Sequence, residues 1–167
     1  DRVSQRYIWS GFASGAFAPP ASGTWSNAFP DYRTQGAELA LQHQLSRDWQ
    51  LFAGATALKS SLENLPYAPR TALSLGVNGQ WSGYKLSLDA QHQSGMYALT
   101  QDRGSFSPNR VEGFTVANLK IARPLTALGK HGEVFALINN LFDADYQYNA
   151  GYPMPGRTFR VGVVAGF

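Results

Sequence analysis

Apolar and polar residues alternate along most of this chain, in segments of about ten residues separated by turns. Tyr84, Leu86, Leu88 and Ala90 take one side of the clearest segment, while Lys85, Ser87, Asp89, Gln91 and Gln93 take the other. A period of two with one apolar side marks a β-strand with two different environments. The same reading predicts strands at 32–45, 49–58, 70–81, 111–123 and 133–142. A closing strand runs to Phe167, with Phe159, Val161, Val163, Ala165 and Phe167 on its apolar side. The first strand, at 3–15, has the weakest pattern. The total is about eight strands, an all-β antiparallel chain.

The connections alternate in length. Those at 46–48, 82–83 and 124–132 are short, whereas those at 16–31, 60–69, 98–110 and 143–155 are long. Transmembrane β-barrels show this asymmetry, with short periplasmic turns and longer extracellular loops. Trp49, Trp81 and Tyr84 sit beside short turns, where an interfacial aromatic girdle belongs. A strand of ~10 residues at ~3.3 Å each, tilted ~45°, covers roughly the 25 Å apolar band of such a barrel.

The second side of the strands carries Glu38, Lys85, Asp89, Lys120 and Arg160. A dry core would not tolerate these charges unpaired. A water-filled or plug-filled lumen would, so the chain reads as inside-out relative to a soluble protein. Composition agrees: of 167 residues 15% are charged, 13% are aromatic and 17 are Gly. No run approaches the ~18 apolar residues of a membrane helix, and the mean hydropathy is mildly negative. A barrel needs only alternate apolar positions, so neither fact opposes membrane insertion.

Cysteine is absent, which removes thiol chemistry, zinc ribbons and disulfides. The net charge of +3 is dispersed, which argues against nucleic acid as a partner. His43 and His92 fall on the apolar side and His131 in a short turn, so no metal or hydrolase site is expected. The chain starts at Asp1 with neither Met nor signal peptide, so an exported mature protein or a piece of one is expected.

The last stretch, Asn139-Asn140-Leu141-Phe142-Asp143-Ala144-Asp145-Tyr146 through Gly151-Tyr152-Pro153-Met154-Pro155-Gly156-Arg157 to Phe167, resembles the C-terminus of TonB-dependent outer-membrane receptors. That family ends in an N-L-F-D-x-x-Y element, a G-Y-x-x-x-G-R turn and a strand closing on Phe. The runs 35–39 and 65–70 also resemble its barrel segments. The resemblance implies the C-terminal part of a β-barrel of about 22 strands that encloses a plug. It also implies import of a scarce metal chelate, such as a ferric siderophore, haem or cobalamin, without catalysis or cofactor.

The partners implied are outer-membrane lipid, the plug and upstream strands, the TonB complex acting through the plug, the barrel assembly machinery and the chelate. Nothing in 1–167 resembles the plug or its TonB-binding segment, so the whole chain is expected to be barrel wall, its C-terminus periplasmic. The alternative is a free-standing eight-stranded barrel with a structural or adhesive role. Arg160, Gly162, Ala165 and Phe167 resemble the signal read by the assembly machinery, although the family pattern has an aromatic where Ala165 stands. Trp25, Phe29, Tyr97, Arg103, Arg110, Tyr148 and Tyr152 are the loop candidates for ligand contact, because aromatic and Arg side chains combine area with directed polar groups. Arg157 is expected to pair with a nearby carboxylate.

Overall fold

A computed structural model describes residues 2–3, 6–10, 24–29, 32–102, 105–128 and 130–166, with side chains described over 32–100, 108–128 and 130–166. In chain order the strands are β1 (Arg2–Val3), β2 (Arg6–Ser10), β3 (Thr24–Phe29), β4 (Tyr32–Gln44) and β5 (Trp49–Ser60). Then come β6 (Thr71–Trp81), β7 (Tyr84–Gln93), β8 (Met96–Asp102), β9 (Ser105–Val111) and β10 (Phe114–Pro124). Last are β11 (Glu133–Asn139), β12 (Gln147–Asn149), β13 (Tyr152–Pro153) and β14 (Thr158–Val164).

One eight-stranded sheet runs in the order β1-β4-β5-β6-β7-β10-β11-β14. Every pairing within it is antiparallel. The other strands form the hairpins β2–β3, β8–β9 and β12–β13. These hairpins and loop 61–70 all rise from one end of the sheet, and the short turns occupy the other.

The register sorts the side chains into two faces. Leu41, Ala53, Leu75, Ala90 and Ala117 stand abreast across five strands. Leu51, Val77, Leu88, Leu119, Ile138 and Phe159 form a parallel row nearer the short turns. The opposite face carries Gln44, Gln50, Asn78, Ser87, Lys120 and Arg160, with Leu137 among them. A slip of one residue would exchange the two faces, so the register is strongly specified.

The apolar face has no second layer among the described residues, whereas the polar face is covered in part, where Tyr146 and Tyr148 pack on Phe114. Leu39 is 70% exposed and Val161 82%, far from the burial of a sandwich core. A contiguous apolar surface of this kind needs a non-aqueous neighbour. The polar face is instead knit together. Glu133 accepts from Lys85 at 3.0 Å and from Lys120 at 3.1 Å, and the Lys120 ammonium also lies 5.0 Å from the Phe135 ring centre. Asn118 donates to Asp89 at 2.8 Å. Phe135 lies where a side chain on Gly162 would stand, at 2.5 Å, so the glycine leaves that ring its seat.

Several boundaries differ from the sequence expectation. The strand expected at 3–15 is divided: only Arg2–Val3 joins the large sheet, while Arg6–Ser10 pairs with Thr24–Phe29 inside the expected loop 16–31. Residues 11–23 lie outside the described part. The polar loop expected at 98–110 is largely the β8–β9 hairpin, which takes Val111 from the following strand. Its cross-strand bonding outweighs a polar composition and Pro108. The strand expected at 133–142 stops at Asn139, because Asn140 turns to a φ of 52°.

Candidate ligand-binding site

At the long-loop end, loop 61–70 folds back onto β8. Pro66 and Tyr97 form a parallel bridge. The Tyr67 amide donates to the Tyr97 carbonyl at 2.7 Å, and the Tyr67 hydroxyl bonds both the amide and the carbonyl of Leu99 at 3.2 Å. Tyr67 has a φ of 57°, uncommon for an aromatic residue, and these bonds hold it there.

Between this loop and the base of β8 and β9 lies a hollow of about 280 Å³, lined in part by Glu63, Arg70, Met96, Tyr97 and Arg110. Tyr97 and Arg110 are two of the sequence candidates, now side by side. Arg70 was missed, although it closes the Tyr67-Ala68-Pro69-Arg70 run already set apart in the sequence. Arg110 Nε lies 3.1 Å from Glu112 Oε1 with both groups well exposed, so the pair is weak and open to exchange. Arg70 has no ion-pair partner among the described residues. A guanidinium offers a planar fork to anionic oxygens, and the adjacent phenol adds a donor and an aromatic face.

The remaining candidates stand apart from this hollow. Tyr148 packs edge-on to Phe114 and Tyr146, at 5.2 and 5.7 Å between ring centres, and its hydroxyl accepts from Gln91 at 3.0 Å. Burial first, and then the neighbouring Tyr148, raises the Tyr146 phenol above its ordinary pKa. Tyr152 on β13 is 73% exposed. Trp25 and Phe29 lie on β3, opposite Trp9 and Arg6, with side chains outside the described part. Arg103 and Phe167 fall outside it altogether.

A second polar centre, unrecognised in the sequence, holds the β12–β13 hairpin in place. Asn140 is 2% exposed. Its side chain accepts from the Ala144 amide at 2.9 Å and donates to the carbonyls of Ala144 and Pro155 at 2.8 and 3.4 Å. Its own amide donates to Asn118 on β10 at 3.1 Å. Asp143 accepts from the Arg157 amide at 2.6 Å, and the Arg157 guanidinium lies 3.9 Å from the same carboxylate. That is the pairing expected for Arg157. A side chain on Gly156 would stand 2.7 Å from Asp143, so only glycine leaves room for this carboxylate. The N-L-F-D and G-R elements are thus two halves of one corner.

On the closing strand Arg160 faces the polar side, Gly162 lies beneath Phe135, and Ala165 follows the strand end. His43 and His92 stand in apolar-face rows, and His92 Nδ1 is 2.9 Å from Thr115 Oγ1. Among the described residues no group of three or more His, Asp or Glu side chains could hold a metal ion.

A wide antiparallel sheet with one apolar exposed face, one ion-paired face, and all its long loops at one end defines a segment of a transmembrane barrel wall. The chain belongs to the family described as TonB dependent receptor-like, beta-barrel, whose profile matches residues 5–141. It is 27% identical over 162 residues to the catecholate siderophore receptor Fiu of Escherichia coli K12, covering 82% of this chain and 20% of that protein. In structure it resembles the pyoverdine outer membrane receptor FpvA of Pseudomonas aeruginosa PAO1, with a TM-score of 0.71 at 17% identity over 99% of this chain and 26% of that one. The copper transporter OprC gives 0.66 at 24% identity, over 95% of this chain and 27% of that one. The chain spans about a fifth of the length of the curated relatives it matches. The family is one of receptors, not of enzymes.

Proposed function

We propose that residues 1–167 are the C-terminal part of the barrel of a TonB-dependent outer-membrane receptor that imports a scarce metal chelate. The large sheet supports this reading over a free-standing barrel, because β1 and β14 make no pair with each other among the described residues. A barrel of about 22 strands would complete it and enclose a plug. The TonB complex would act through that plug, the assembly machinery would read the closing strand, and the C-terminus would lie in the periplasm with the short turns.

The observation that carries the ligand assignment is the hollow where Arg70, Tyr97 and Arg110 converge at the long-loop end. Its chemistry suits an anionic, aromatic-bearing chelate, and the relative Fiu is named for catecholate siderophores. In the complete receptor, Arg70→Gln combined with Arg110→Gln is expected to weaken uptake of a radiolabelled ferric catecholate about tenfold or more. Deenergising the inner membrane should abolish uptake in the parent receptor. Unchanged uptake by the double variant, across a range of chelate concentrations, would remove these residues from the ligand's path.

A further inference from the structure

The face that meets lipid carries charge at few places, and the sign is uniform. Among the outward positions of the large sheet with described side chains, the charged residues are Arg33 and Lys59 at the long-loop end and Arg123 at the short-turn end. Among the described residues no carboxylate stands on that face. The acidic residues of these strands, Glu38, Asp89 and Glu133, all point to the polar side.

Arg123 is the most defined of the three. It opposes Val134, which opposes Val163. On its other side lie Tyr84 and then Trp81, themselves paired. The Arg123 guanidinium centre is 5.3 Å from the centre of the Tyr84 ring, and one of its nitrogens is 3.5 Å from the Tyr84 hydroxyl. Trp81 and Val163 beside it are 66% and 63% exposed. The ring fixes the guanidinium at the level of the aromatic girdle and leaves most of its donors unused, with no ion-pair partner among the described residues. A cation on a lipid-facing wall at interfacial depth is stable where an anion meets it, and the lipid phosphate is the anion at that depth.

We propose that Arg123, Tyr84 and Trp81 form a binding site for the phosphate headgroup of an anionic phospholipid in the periplasmic leaflet. The guanidinium holds the phosphate oxygens and the two rings flank the glycerol region. The site rests on the membrane reading of this sheet but not on which chelate is carried.

The test uses the complete receptor in detergent, offered equal amounts of phosphatidylglycerol and phosphatidylcholine, with retained lipid counted by native mass spectrometry. The parent should retain phosphatidylglycerol preferentially. Arg123→Gln should lower that retention about fivefold, the scale of one interfacial cation. Tyr84→Leu should lower it less, because the charge stays but loses its platform. Arg47→Gln, a cation of the short turn on the polar side, should leave it unchanged. Millimolar inorganic phosphate should fail to displace the lipid; displacement would reassign the site to a free anion and overturn the proposal. Equal retention by the parent and Arg123→Gln would overturn it as well. A receptor that fails to enter detergent micelles as a folded barrel would instead strike the membrane reading beneath it.

Discussion

Replacing Asn140 by Ala is expected to cost the receptor about 3–4 kcal/mol of stability. Three side-chain hydrogen bonds disappear with it. The Ala144 amide and the carbonyl beside it then lose their partner inside a nearly closed corner. A buried group left unsatisfied costs about 1–3 kcal/mol beyond the bond itself. The φ of 52° adds about 1 kcal/mol for Ala, whereas Asn tolerates that conformation. Asn140→Gly should recover the conformational part alone, and Asn140→Asp should keep the bond from the Ala144 amide. Urea midpoints of the complete receptor in micelles should therefore fall in the order parent, Asp, Gly, Ala. A midpoint for Asn140→Ala equal to that of the parent would show that the corner is held by something else.

The second large effect lies on the apolar face. Leu75 stands near the middle of β6, 54% exposed, with Ala53 and Ala90 abreast of it. Leu75→Lys would place an ammonium near the bilayer midplane, at a cost of about 2–4 kcal/mol. Gln42→Lys, on the polar side of β4, should cost under about 1 kcal/mol because water or plug groups can solvate the charge. Refolding yield into vesicles and the urea midpoint both read this difference. Equal tolerance of the two substitutions would mean that the faces are not distinguished by their surroundings.

The wall of this molecule was legible because the alternation is written strand by strand. The expected Tyr84–Gln93 strand and its two faces stand unchanged, as do the turns at 46–48 and 82–83 with Trp49, Trp81 and Tyr84 beside them. What escaped is set by contacts between distant segments. The β8–β9 hairpin is one case: Met96, Ala98 and Val111 share one face and are buried, with the distant Ala150 packed against them. Arg70 escaped for a similar reason, since the Thr71–Ser94 pairing and the Pro66–Tyr97 bridge bring it beside Tyr97 and Arg110. Asn140 was visible as a letter in a motif. Its role was not, because neighbours at 118, 144 and 155 create it. An Asn-Asn pair just before a turn is the signal that could have revealed it, given the tolerance of Asn for left-handed backbone.

Which face meets lipid is reported directly by neighbouring residues on opposite sides of one strand pair. The chain has no cysteine, so in a complete receptor cleared of any cysteine elsewhere, single nitroxide labels at Val77→Cys, Asn78→Cys, Ser87→Cys and Leu88→Cys can be compared after reconstitution in vesicles. Labels at 77 and 88 should relax with oxygen dissolved in the bilayer and ignore a water-soluble nickel chelate. Those at 78 and 87 should lose the oxygen effect. The reverse assignment, or labels at 77 and 88 shielded from oxygen and nickel alike, would contradict a lipid-facing apolar side.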